Sequence, residues 1–323
     1  MSWKSKIFQH HSKESFSKLA LEIFKYQAYN NLVYKVYIEH LGLEVSNINS
    51  ITDIPFLPIE LFKSHDVTCH DSRHQKIFTS SGTTGNPSNH MVWDLSIYEK
   101  SFEETFTHFY GPIEDYTFLA LLPSYLERSG SSLVYMCEKL MKKSAKKENG
   151  FYLNEHDKLF NQIRKLEKQG RKSILIGVSF GLLDFIAQKQ IKLNKMIVIE
   201  TGGMKGNKKE IIREELHKKL CHGFHVKNIH SEYGMTELMT QAYSTNSPLF
   251  KCPPWMKVYC RDTSDPLSSL QDSGALNIID FANIHSCSFV ASQDLGKVYP
   301  DGSFEVLGRM DKSEIRGCNL MVY

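Results

Sequence analysis

Residues Thr79, Ser80, Ser81, Gly82, Thr83, Thr84 and Gly85 place short hydroxyl side chains among glycines. Their O–H groups and backbone N–H groups are donors that can wrap a phosphate. The ATPase loop G-x-x-x-x-G-K-[ST] is a different pattern: counted from Gly82, its second glycine would fall on Pro87, and no lysine follows. The stretch can therefore cradle a triphosphate without a fixed charge clamp, although alone it also reads as a plain Ser/Gly turn. A second cluster, HSEYGMTELMTQ at 230–241, carries Tyr233, Thr236 and Glu237, and a third, GRMDKSEIRGC at 308–318, carries Arg309 and Cys318. Cysteine attacks as the thiolate, which a nearby cation favours, and Lys312 and Arg316 stand close to Cys318 in sequence. A buried, inert thiol is the plainer reading of that cysteine.

Taken in order, the Ser/Thr/Gly stretch, Tyr233-Gly234-Met235-Thr236-Glu237 and Gly308-Arg309-Met310-Asp311 resemble the adenylate-forming superfamily of acyl-CoA synthetases, luciferases and peptide-synthetase adenylation domains. LLPSYLERSGSSLVYM (121–136), GVSFGLLDF (177–185), ETGGMKG (200–206) and RGCNLM (316–321) resemble one branch of it, the LuxE-type acyl-protein synthetases of bacterial bioluminescence. This likeness runs from about residue 50 to the end. It implies that ATP converts a carboxylic acid, a fatty acid foremost, into an acyl-adenylate. The acyl group then moves to Cys318 as a thioester, for delivery to a reductase or other protein acceptor.

The same resemblance implies ATP and Mg²⁺ as cofactors. Thr79 to Gly85 would surround the phosphates, Thr236 would contact the α-phosphate and Glu237 would hold Mg²⁺. Tyr233 would lie against adenine, with Gly202 and Gly203 lining the base pocket. Asp294 and Arg309 would take the ribose hydroxyls, a carboxylate being able to accept two hydrogen bonds from a vicinal diol. Where larger superfamily members carry loop lysines, Asn86 and Ser88 stand here. His90 is a candidate to compensate, or else an ordinary surface-loop histidine. The sequence ends five residues after Cys318, so the superfamily's mobile lid domain, with its lysine, is expected to be absent, as in the short LuxE branch. Two other readings stand beside this one: an acyl- or aryl-CoA ligase or acyltransferase with CoA as acceptor, and a nucleotide-binding subunit without catalysis.

These residues need a frame, and the hydrophobic pattern supplies an α/β one. Continuous apolar runs at 116–122, 173–178 and 196–200 read as strands buried on both faces, with helices expected near 131–143, 180–189 and 208–220. That alternation indicates a mainly parallel sheet with flanking helices, whose ligands gather beyond the carboxyl ends of the strands. Both the loop after a short strand at Lys76 to Thr79 and the turn Thr201-Gly202-Gly203 are expected at such ends. Asp94 can cap a helix with Leu95, Tyr98, Phe102 and Phe106 on its apolar face. The expected division is a helical N-terminal segment at 1–75, an α/β nucleotide-binding core at 76–245, and a β-rich lobe with the acceptor tail at 246–323.

Composition narrows the class of partner. With 39 basic against 36 acidic residues, the net charge of +3 offers no field for nucleic acid or an anionic membrane surface. Lys142, Lys143, Lys146 and Lys147 read as a solvated helix end. No apolar run has signal-peptide or membrane-spanning length, so a cytoplasmic protein without membrane insertion is expected. Seven scattered cysteines without a C-x-x-C pair read as reduced thiols.

Overall fold

The computed structural model describes residues 2–70, 74–80, 86–122, 130–202, 211–245, 247–265, 267 and 271–310. The chain opens with helices α1 (Trp3–Ile7), α2 (Lys13–Asn30) and α3 (Leu32–His40). Asn31 ends one helix and starts the next. Its side-chain oxygen accepts from Tyr34 N at 3.0 Å, while its amide donates to Ser286 O at 3.0 Å. Strand β1 (Leu57–Pro58) follows in the stretch that the prolines keep extended.

Strands β2 (Lys76–Thr79) and β3 (Asn89–Val92) pair with each other as an antiparallel ribbon. The Ser/Thr/Gly stretch therefore connects two ribbon strands, and does not follow a strand of the parallel sheet as expected. A short connection between neighbouring segments closes at little entropic cost, which favours local pairing over insertion into a distant sheet. Asp94 then caps α4 (Leu95–Tyr110), accepting from Ser96 N at 2.9 Å.

The alternating region contains β4 (Thr117–Leu121), α5 (Ser132–Ser144), β5 (Gly150–Tyr152), α6 (His156–Lys168), β6 (Ser173–Val178), α7 (Ser179–Gln188), β7 (Met196–Thr201), α8 (Arg213–Phe224), β8 (His230–Tyr233) and β9 (Ala242–Ser244). The strands form one sheet in the order β5-β4-β6-β7-β8-β9, parallel except for β9, which runs antiparallel to β8. Successive side chains point to opposite faces, so both faces must be covered. On one face, Leu119, Leu175 and Val198 pack with Leu159, Ile163 and Leu166 of α6, Phe185 of α7 and Phe224 of α8. Phe118, Ile174 and Ile199 point the other way, into a larger core shared with Phe102 and Phe106 of α4 and Leu140 of α5.

That larger core continues into a second sheet, made of β10 (Met256–Arg261), β11 (Ser273–Asp280), β12 (Phe289–Val298) and β13 (Phe304–Arg309). Its order is β1-β12-β11-β10, with β13 also paired to β12. The four strands after residue 250 pair antiparallel, and the sheet also takes in β1 from far upstream, parallel to β12. Helix α2 closes over the turn between β11 and β12: Phe16 stacks on Phe281 at 4.3 Å, and Gln27 Nε2 donates to Asn283 O at 2.9 Å and Ile284 O at 3.0 Å.

Residues Phe250 and Lys251 tie the two sheets together. Lys251 N donates to Tyr243 O at 2.9 Å, and Tyr243 N donates back to Lys251 O at 3.1 Å. Phe250 exchanges the same pair of bonds with Phe304, at 2.8 and 3.0 Å. One short segment thus bridges β9 of the first sheet to β13 of the second.

Candidate active site

Several of the expected nucleotide residues lie where that bridge joins the sheets. Tyr233 ends β8, and its hydroxyl donates to Asp294 Oδ2 at 2.8 Å. Asp294 on β12 faces Arg309 on β13 in register, with Arg309 Nε 3.4 Å from Asp294 Oδ1. Tyr233 is buried against Phe250 and Phe304, and burial, then the Asp294 charge, holds its phenol protonated. Three separate strands thus present a carboxylate, a guanidinium and a phenol together. Arg309 remains half-exposed, so the group opens toward solvent on one side.

Beyond Tyr233 the chain leaves the strand, and Thr236 and Glu237 are held by their backbone rather than by a ladder. Thr236 O lies 2.8 Å from His90 Nδ1, and Asn283 Nδ2 donates to Glu237 O at 2.8 Å. Asp280 accepts from Met239 N at 2.8 Å and from Thr240 Oγ1 at 2.6 Å. Burial pushes Asp280 up to about 6, against the pull of these hydrogen bonds. Trp255 Nε1 completes the group by donating to Thr240 Oγ1 at 3.1 Å.

Of the phosphate-type loop, Thr79 and Ser80 are described; Ser81, Gly82, Thr83, Thr84 and Gly85 lie outside the described residues. Ser88, which stands at a position where the resemblance leads one to expect a lysine, is 2 % exposed, and its backbone N donates to Ser80 Oγ at 2.8 Å. His90 is not a surface-loop residue. It sits on β3, 1 % exposed, with the Phe62 ring edge-on at 5.7 Å, and burial drives its pKa down to about 4. A neutral imidazole cannot supply the missing lysine charge.

Gly202 follows β7 with φ of 72°, a left-handed conformation that glycine adopts without strain. Its carbonyl lies 2.8 Å from Ser179 Oγ, which also lies 3.0 Å from Glu200 Oε2. Gly203 and Cys318 lie outside the described residues. Glu200 and Glu232 occupy neighbouring strands but opposite faces. Burial pushes Glu200 up, yet His217, Ser231 and Arg213 outweigh it and hold the carboxylate below its ordinary range. Glu232 has Thr201 as its hydroxyl donor, and burial, with the Glu200 charge adding, raises it to about 7. Sequence reasoning missed Glu232, Asp280 and Asn283. The one local signal is an acid closing an apolar strand, at Asp280.

No protein-family model matches this sequence, and no curated protein matches it. Solved structures do. ATP-bound MatB from Rhodopseudomonas palustris has a TM-score of 0.55 at 15% identity, over 72% of this chain and 47% of that one. 2-Hydroxyisobutyryl-CoA ligase, in the postadenylation state in complex with R3-HIB-AMP, has a TM-score of 0.67 at 12% identity, over 92% and 68%. The fold is that of adenylate-forming ligases. O-succinylbenzoate Coenzyme A synthetase from Bacillus subtilis, in complex with ATP and magnesium ion, has a TM-score of 0.50 at 15% identity, over 72% and 49%. This chain spans about half the length of MatB and of the succinylbenzoate enzyme. At such identities the likeness to adenylate-forming ligases concerns the fold. Among the described residues, no helix is long and apolar enough to cross a membrane.

Proposed function

We propose that the chain uses ATP to activate a carboxylic acid, a fatty acid foremost, and transfers the acyl group to its own Cys318. The observation that carries this reading is the meeting of Tyr233, Asp294 and Arg309 at the junction of the two sheets, with Thr236 and Glu237 following directly in the chain. In the first step a carboxylate oxygen attacks the α-phosphorus of ATP, the bond to the bridging oxygen breaks, and pyrophosphate leaves with the electron pair. Asp294 accepts from the ribose hydroxyls, and Arg309 orients Asp294. Thr236 donates to the α-phosphate, and Ser80 with its loop donates to the departing phosphates.

Mg²⁺, an ion commonly held by one or two carboxylates and by substrate phosphate oxygens, would take Glu237 as its protein carboxylate. When bound, the ion neutralises phosphate charge as two anions approach. In the second step the Cys318 thiolate attacks the acyl carbonyl, the bond to AMP breaks, and a thioester remains. A protein partner, a reductase or other acceptor, would then receive the acyl group. On this reading the chain is an acyl-protein synthetase of the LuxE type and works in the cytoplasm.

The test uses a radiolabelled fatty acid with ATP and Mg²⁺. Label should stay on the denatured protein and be released by neutral hydroxylamine. Cys318→Ser should abolish retention while carboxylate-dependent ATP–pyrophosphate exchange continues. Retention in Cys318→Ser excludes Cys318 as acceptor. Exchange without retention, together with consumption of added CoA, would make the protein a CoA ligase instead, as the 2-hydroxyisobutyryl neighbour is named.

A further inference from the structure

The ribbon that carries the Ser/Thr/Gly loop is fastened at its neck. Ser80 N donates to Ser88 O at 3.0 Å, Ser88 N donates to Ser80 Oγ at 2.8 Å, and Thr79 N donates to Gly130 O at 2.8 Å. One further bond leaves the ribbon for a segment 146 residues away, from His90 to the carbonyl of Thr236. A carbonyl oxygen only accepts, so the proton sits on Nδ1 and the ring is the Nδ1–H tautomer. Thr236 O has left the β8 ladder and needs a donor from elsewhere, which the buried imidazole supplies without bringing a charge.

We infer that His90 is a positioning residue, whose Nδ1–H sets the β2–β3 ribbon against the Thr236–Glu237 element so that both reach the same phosphates. The phosphate part of this inference rests on the adenylation reading above; the mechanical link between ribbon and element does not. The link matters because reacting groups displaced by about 1 Å can lose on the order of a hundredfold in rate.

His90→Asn and His90→Leu separate the roles. Asparagine keeps an N–H on the atom bonded to Cγ, where Nδ1 stands, whereas leucine keeps only bulk. Three readouts apply to the full chain: the ¹⁵N spectrum of His90, hydrogen exchange at 86–92 and 235–238, and carboxylate-dependent pyrophosphate exchange. The spectrum should show a neutral Nδ1–H ring. His90→Leu should speed hydrogen exchange in both segments and lower kcat by about tenfold or more, with KM for the acid within about twofold. His90→Asn should restore hydrogen exchange and bring kcat to within about threefold of wild type. An Nε2–H ring, unchanged exchange at 235–238 in His90→Leu, or equal impairment in both variants overturns the inference. If wild type gives no pyrophosphate exchange with any acid, the adenylation reading fails, and the spectrum and hydrogen exchange alone decide the link.

Discussion

At the scale of single residues, Asp294 separates binding from folding. Hydrogen bonds to a charged acceptor contribute about 1.5–3 kcal/mol, and about 1.4 kcal/mol is tenfold, so Asp294→Ala should raise KM for ATP by about 10- to 100-fold. Tyr233→Phe removes the 2.8 Å bond but leaves the carboxylate, so its KM should change only a few-fold. Equal effects in both variants, measured in pyrophosphate exchange, would argue that the pair is structural. Glu237→Ala should abolish exchange while the circular dichroism spectrum is unchanged; normal turnover would remove Glu237 from the metal role. The types of these residues are legible in the sequence, because chemistry is written in side chains. The burial of His90 is not, since its partner is a backbone carbonyl distant in the chain.

At the scale of elements, the strands at Thr117–Leu121, Ser173–Val178 and Met196–Thr201 are legible because burial on both faces leaves an unbroken apolar run. Helix α6 is legible too but is not among the expected elements: Leu159, Ile163 and Leu166 stand at helical spacing in an otherwise charged segment, and they are the residues it buries. The ribbon strand β3 is only four residues of mixed character, Asn89-His90-Met91-Val92, and its pairing reveals it. The ends of β7 and β8 carry a pH dependence. Glu232 titrates at about 7 in the fold against 4.5 ordinarily, so the folded state binds its proton more tightly. That contribution is fully present below pH ~4.5 and is lost as pH rises through about 7, on the order of 3 kcal/mol. Glu232→Gln should therefore gain stability relative to wild type between about pH 5 and 8 in urea titrations. A constant difference across that range would mean Glu232 is ionised throughout.

At the scale of the whole molecule, the N-terminal helices are part of the site's foundation. Gln27 donates to Asn283 O and Ile284 O, and Asn283 in turn holds Glu237 O. Gln27→Leu leaves buried acceptors unpaired and should cost about 3 kcal/mol, seen as a lower urea midpoint. It should also lower kcat several-fold although residue 27 touches no reacting group; unchanged kcat would uncouple the helices from Glu237. The segment Phe250-Lys251 reaches further still. Main-chain bonds on both its edges stitch one sheet to the other, so the join does not depend on what either side chain is. Exchanging either side chain for anything but proline leaves those four bonds in place, so parting the sheets here takes a change in the chain itself.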